Sequence, residues 1–398
     1  MNGRGSNSLP ESGQMQTQVA PIHAAFVMEQ TLGHVTHFRN LQRGVAEQTR
    51  ITPTWLPIAF DDLRGPLRFL PGVGSNWSVR ASLRARRALD RELAAARVDA
   101  IVFHTQVTAL FSQAVMRRVP SIISLDATPI NYDSVGLYYG HRPSGAGLLE
   151  RQKYRLNRQA FHAAASLVCW SDWARRSLIN DYGVSSHNIH VIAPGADRAY
   201  FELGEHRVFE SDAGESHRPV RLLFVGGDFE RKGGRHLLQA FSGSLAERCT
   251  LDVVTASDVA AHPNVRVHRG LGPNSAELQR LYAAADVFVL PTLADCLAVV
   301  LMEATAAGLP VVTTTVGALA EAVEPHQSGL LIEPGDSAAL RQALVRLVDD
   351  ADLRRAMGRM GHRLALTRFD ARRNNHRLLE LLCDVAAVQP APEGVKAA

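Results

Sequence analysis

Two acidic residues eight positions apart are the first candidates for chemistry. Asp295 stands just after the apolar run Val287–Leu290, and Glu303 lies inside the stretch Leu297-Ala-Val-Val-Leu-Met-Glu303-Ala-Thr-Ala-Ala. A carboxylate among such neighbours is expensive to bury unless partners satisfy it. A ribose diol offers two hydroxyl donors to its two oxygens. The stretch reads as a helix that stops at Gly308, with Pro310 just beyond. Its N-terminus at Leu297, Ala298 and Val299 would present free backbone N–H groups and a positive dipole end to a diphosphate. One element would then hold sugar, diphosphate and ribose in order. The plainer alternative is that Glu303 ties down a neighbouring loop.

A second segment supplies a cation. Val225-Gly226-Gly227-Asp-Phe-Glu-Arg231-Lys232-Gly233-Gly234 follows an apolar run and opens a helical one. Gly226 and Gly227 let backbone approach a phosphate, and Lys232 would neutralise it. In the first half, Ile101-Val-Phe-His104-Thr105 and Ser124-Leu-Asp126-Ala-Thr128 place polar side chains at strand ends. Open α/β sheets bind ligands there.

The elements that must position these residues follow an alternation of short β-rich and helical runs, the pattern of parallel sheets covered by helices. The first half predicts strands at Ile22–Met28, Ile51–Ile58, Ala100–His104, Pro120–Leu125, Ser166–Cys169 and Ile189–Ile192. The second predicts strands at Val220–Val225, Thr250–Val254, Val265–His268, Val287–Leu290 and Val311–Thr314, then helices at Ser337–Val348, Asp352–Thr367 and Ala371–Val388. The expected organisation is a tail over 1–20, a first α/β domain over 21–200 and a linker over 201–219. A second α/β domain over 220–370, a last helix over 371–388 able to cross back to the first domain, and a tail over 389–398 complete it. The polar composition of Phe201–Pro219 marks the linker. Two α/β units facing a cleft place the site between them.

At 398 residues two domains are expected, and the 46% hydrophobic and 21% charged content is that of a globular protein. No apolar run is long enough to span a membrane, and the first twenty residues lack the pattern of a secretory signal. Four scattered cysteines, without metal or disulfide spacing, fit a reducing cytoplasm. The net charge of +4 conceals a surplus of eight positive charges up to Arg198 and a deficit of four beyond it. The densest basic run is Arg80, Arg84, Arg86, Arg87 and Arg91. It reads as a solvated helix face or as a surface for an anionic membrane or acceptor. No aromatic residues interleave it, which argues against nucleic acid.

The spacing Asp295-x7-Glu303, the continuation through Gly308, Pro310, Gly317 and Glu321, and Lys232 in its glycine-rich loop resemble glycosyltransferase family 4. The resemblance covers roughly Pro21 to Val388. It implies a GT-B architecture of two Rossmann-like domains, an acceptor-binding one over 21–200 and a nucleotide-sugar-binding one over 220–370, and a metal-independent, retaining transferase. Its donor would be a nucleotide diphosphate sugar, with no further cofactor. Asp295 would contact sugar hydroxyls, Glu303 the ribose, and Lys232 the leaving diphosphate. Gly33 and His34, after the first strand, resemble the family's loop near diphosphate and acceptor. His104 would bind acceptor or sugar hydroxyls, and Asp126 would orient an acceptor hydroxyl. Two departures stand out. Gly227 occupies the place of an arginine, a charge Arg231 could supply, and Asp126 occupies the place of a histidine. The remaining readings are a non-catalytic protein on the same scaffold and a sugar-nucleotide epimerase. The single Asp-x-Asp triplet, Asp350-Ala-Asp352, lies between helical runs and is read as a helix cap rather than a metal site.

Overall fold

The computed structural model describes residues 20–31, 33–59, 77–139, 147–209 and 218–388. Apart from Ala20, both expected tails lie outside the described residues, as do residues 210–217 of the expected linker. Twelve strands form two parallel sheets. In the first, β1 (Ile22–Glu29), β2 (Ile51–Ile58), β3 (Ala100–His104), β4 (Ser121–Leu125), β5 (Ser166–Cys169) and β6 (Ile189–Val191) run in the order β2-β1-β3-β4-β5-β6. In the second, β7 (Val220–Val225), β8 (Cys249–Val254), β9 (Val265–His268), β10 (Val287–Leu290), β11 (Val311–Thr314) and β12 (Gly329–Ile332) run in the order β12-β11-β10-β7-β8-β9. Each order reverses beside the first strand of its sheet, the topology that opens a crevice at the strands' carboxyl ends.

Burial explains the composition of the strands. Every residue of β3, β4, β10 and β11 is buried, because helices cover both faces of a parallel sheet. β12 was not anticipated. It is a four-residue run, Gly-Leu-Leu-Ile, too short to show a period, and it is defined by pairing with β11.

Helix Arg198–Phe209 spans the first part of the expected linker and packs on the helices Ala276–Ala284, Val299–Ala306 and Ala351–Arg368. Its polar composition hides an inward stripe on which Tyr200 and Phe201 are buried. The Arg207 guanidinium anchors it, donating to the carbonyls of Tyr282 (2.9 Å), Ala283 (3.1 Å), Ala285 (2.7 Å) and Ala307 (3.0 Å). Those carbonyls end two helices and would otherwise lack partners.

The last helix, Ala371–Ala387, lies against helix His34–Ala46 and the first sheet. Leu378, Leu379 and Leu382 share a core with Phe26, Leu41 and Val102. Where the chain crosses back, Ala196 N–H donates to Phe369 O at 2.7 Å and Ala371 N–H to Ala196 O at 3.2 Å. Both crossings are thus stitched together at one point. Among the described residues no helix is long and apolar enough to cross a membrane.

Candidate active site between the two sheets

The loop from β7 and the loop after β10 meet at the carboxyl end of the second sheet. Lys232 pairs its ammonium with the Asp295 carboxylate, both side chains being mostly buried. Gly233 makes the meeting possible. It has φ +77°, and a Cβ there would fall 1.9 Å from Pro291 O, so only glycine allows the two loops to touch. Gly226 lies under the lysine, where a Cβ would come within 2.9 Å of Lys232 Cγ. Gly227 is exposed, and its carbonyl accepts from Thr255 Oγ1 at 3.1 Å.

Arg231 is buried and turned into the loops. Its guanidinium donates to Ala294 O at 2.7 Å and meets Asp228 Oδ2 at 3.3 Å. Its own carbonyl accepts from Leu293 N–H at 2.9 Å. Arg231 therefore braces the segment that carries Asp295.

Helix Val299–Ala306 follows Asp295 directly. Its N-cap is Ala298, and no side chain caps its first amides. Leu297, Ala298 and Val299 are all buried. Gly33, the N-cap of helix His34–Ala46, faces this end across the cleft, where a Cβ would lie 3.9 Å from Val299 Cγ2. Two uncapped helix N-termini thus converge from opposite domains, which concentrates positive potential between them.

Glu303 is buried one turn further on, 3% exposed. Tyr282 donates to its Oε2 at 2.9 Å. Burial is the chief cause that lifts its carboxyl to about 7, partly opposed by the Tyr282 hydrogen bond. Tyr200, from the crossing helix, packs edge-on against Tyr282 with ring centroids 5.0 Å apart. Its buried hydroxyl has no hydrogen-bond partner. Tyr200 and Tyr282 were not singled out from sequence. The signal lay in two aromatic residues, one at the end of the expected first domain and one between the expected strands Val265–His268 and Val287–Leu290.

On the first sheet a cluster of rings closes the opposite wall. His34 Nδ1 lies 3.0 Å from His104 Nε2, and His34 Nε2 lies 3.8 Å from both Glu29 Oε1 and Asp126 Oδ2. Thr105 Oγ1 donates to Glu29 Oε2 at 2.7 Å. Trp170, the residue after β5, stacks on His104 at 5.5 Å and contacts His34 and His37. Burial, then the neighbouring histidines, holds His104 well below the usual imidazole range and His37 down at about 3. Both rings are therefore neutral at pH 7. His104 is fully buried, so the ring at the cleft surface is His34 and His104 stands behind it. Glu29, His37 and Trp170 join the candidate residues only through this packing.

The two walls touch. Burial, followed by the carboxylates of Asp126 in the first domain and of the adjacent Asp295, pushes the Cys296 thiol well up. Tyr132, from helix Pro129–Val135, is pushed up to about 12 by partial burial first and then by Cys296, with Asp126 and Glu29 adding to it and Arg231 opposing. At the far side, Glu321 accepts from Asp172 N–H and Trp173 N–H, both at 2.7 Å, capping a first-domain helix from the second domain. Asp350 accepts from Leu353 N–H at 2.8 Å as a helix N-cap, and Asp352 pairs with Arg355.

Two parallel six-stranded sheets of this topology, facing one cleft, define the GT-B class. Comparison with known proteins agrees. The group 1 glycosyl transferase model matches residues 219–350, and the glycosyltransferase family 4 model matches residues 33–200. The chain belongs to this glycosyltransferase family. A D-inositol 3-phosphate glycosyltransferase of Corynebacterium kroppenstedtii is 30% identical over 266 residues, 61% of this chain and 57% of that protein. The chain spans about half the length of the curated relatives it matches. Sucrose-phosphate synthase from Thermosynechococcus elongatus shares the fold with a TM-score of 0.73 at 16% identity, over 93% of this chain and 100% of that one. Anabaena Alr3699/HepE, solved with UDP-glucose, superposes with a TM-score of 0.61 at 17% identity, over 91% and 100% of the two chains.

Proposed function

We propose that this protein transfers a glycosyl group from a nucleotide diphosphate sugar to an acceptor hydroxyl with retention of anomeric configuration, and without a metal ion. One observation carries the reading. Asp295, an uncapped helix N-terminus and the half-satisfied carboxylate of Glu303 follow one another along a single element, with Lys232 held against the first of them. Such an element matches a donor's sugar, diphosphate and ribose in order.

In this reading Lys232 rests on Asp295 until the donor arrives. The ammonium then transfers to the diphosphate, and the carboxylate is released to the sugar hydroxyls. Reaction breaks the bond from the anomeric carbon to the diphosphate oxygen, and positive charge builds on the ring. Lys232 and the amides near Val299 stabilise the departing charge. The acceptor oxygen bonds to the anomeric carbon from the face the diphosphate leaves, and its proton passes to the departing phosphate oxygen. Asp126 and His34 orient the acceptor, while His104 and Glu29 hold His34 in place. Arg231 keeps the Asp295 loop in position rather than meeting the phosphates.

The relatives support the same reaction class. The inositol-phosphate enzyme is named a glycosyltransferase, and the Anabaena structure contains UDP-glucose. The test is hydrolysis of a panel of nucleotide sugars, read by mass spectrometry, with and without EDTA. Hydrolysis of at least one donor, unchanged by EDTA, is expected. Activity that requires a divalent cation would remove the metal-free mechanism, and no hydrolysis or nucleotide binding would leave a non-catalytic scaffold.

A further inference from the structure

Beside the acceptor wall the first domain exposes side chains that a globular surface normally covers. Leu148 and Leu149, in the first turn of helix Leu148–Ala163, are 81% and 79% exposed. Ile130 and Tyr138 nearby are 39% and 51% exposed. The buried residues of the helix begin only at Asn157; before them Tyr154 stacks on Tyr182 and donates to Asp181 O at 2.7 Å, while Leu148 and Leu149 in the first turn project outward. The helix is cationic as well. Arg151 and Arg155 are exposed, and from Leu148 to Ala163 four Lys and Arg residues face a single carboxylate, Glu150. Scattered apolar side chains need no explanation, but a leucine pair at a projecting, basic helix end does.

The location is specific. Lys153 Nζ lies 4.0 Å from Asp133 Oδ1 on helix Pro129–Val135. That short helix carries Tyr132, which feels the charges of Asp126 and Glu29 in the cleft, and Ile130, which faces outward. The apolar end therefore borders the acceptor side of the cleft. By contrast, the basic run on helix Trp77–Ala95 is partly used within the protein, since Arg84 donates to Ala59 O at 2.6 Å and Arg86 to Phe111 O at 3.1 Å.

The geometry points to helix Leu148–Ala163 as a docking element for an anionic lipid bilayer, with Leu148 and Leu149 entering the interface and Arg151 and Arg155 meeting the headgroups. Aliphatic side chains at one end of a helix rich in exposed cations fit an interface in which hydrocarbon lies beneath negative charge. Resting on the transferase reading above, this placement makes the acceptor a lipid-linked hydroxyl, presented at the membrane to Asp126 and His34.

The test is co-sedimentation of the full chain with vesicles of phosphatidylglycerol mixed with phosphatidylcholine, and with phosphatidylcholine alone. Wild type is expected to pellet with the mixed vesicles. The double variant Leu148→Glu with Leu149→Glu should partition on the order of a hundredfold less. Arg151→Glu with Arg155→Glu should remove the preference for the anionic lipid. All three proteins should hydrolyse donor equally in lipid-free solution, since neither pair touches the cleft residues. Equal pelleting of wild type and the leucine variant, or no pelleting, overturns the proposal. Lipid-free self-association that the leucine variant abolishes would also overturn it, in favour of a protein interface. Vesicle binding without hydrolysis of any nucleotide sugar would instead leave the docking surface standing and remove the transferase reading.

Discussion

Tyr282 donates its phenol hydrogen to Glu303 Oε2 at 2.9 Å, and among the described residues Glu303 Oε1 has no hydrogen-bond partner. Half of this buried carboxylate is satisfied from within the protein, and in the proposed function the other half meets the ribose. Three aromatic or acidic groups from three elements, Tyr200, Tyr282 and Glu303, form this corner of the cleft.

The first prediction concerns pH. Burial raises the Glu303 pKa from 4.5 to about 7. The folded state therefore holds this proton more tightly than the unfolded chain. Its contribution to stability is complete below pH 4.5 and is lost as pH rises through about 7. Nucleotide binding runs the other way, because the ionised carboxylate is the better acceptor for ribose hydroxyls. Calorimetry with UDP and GDP should show affinity rising between about pH 6 and pH 8. Glu303→Gln should lose this part of the rise. An identical pH profile in wild type and variant would show that the carboxylate does not meet the ribose.

Tyr200 gives an independent check on the same corner. Its buried hydroxyl has no partner, so Tyr200→Phe should leave stability unchanged or raise it by about 1 kcal/mol. If a bound nucleotide orders this hydroxyl, the advantage should shrink when UDP or GDP is present. Thermal unfolding with and without nucleotide measures both. A loss of more than about 2 kcal/mol in the free protein would mean that the hydroxyl is satisfied after all.

Lys232 and Asp295 should behave as a coupled pair. Lys232→Ala removes the cation proposed to stabilise the leaving diphosphate, and turnover should fall about a hundredfold to a thousandfold. Asp295→Asn should fall less, and the double variant should lose less than the two single losses combined. Steady-state kinetics on the donor identified by screening decide this. Additive losses would mean that the ion pair is incidental to the chemistry.

Arg207 tests the junction between the domains. Its guanidinium serves four carbonyls and is held below the usual arginine range by burial, the nearby Arg218 adding to this and Asp286 opposing. Arg207→Met keeps much of the stem and orphans the carbonyls. A loss of about 2–4 kcal/mol in urea unfolding is expected. A loss below about 0.5 kcal/mol would show that water replaces the guanidinium readily.

Local residue types were enough to reveal five of the six strands of the second sheet, β12 being the exception. Glycines that allow backbone contact, a carboxylate placed one helix turn beyond an uncapped N-terminus, and continuous apolar runs for buried parallel strands are all properties of short segments. Asp295, Glu303, Lys232 and Gly226 are therefore legible in order along the chain. The first-domain wall is different. Glu29, His37 and Trp170 come from three elements, and only the sheet order β1-β3-β4-β5 brings them around His34 and His104. The same holds for Arg231, which the family resemblance offered in place of the arginine absent at Gly227 and whose guanidinium packs onto Ala294 O. The polar composition of the expected linker over 201–219 hid the packing of helix Arg198–Phe209, because the neighbours that bury Tyr200 and Phe201 lie from about eighty to more than one hundred and fifty residues further along. Short-range chemistry was written in the sequence. The partners that decide burial, tautomer and orientation depend on contacts between distant segments, and only the tertiary structure supplies them.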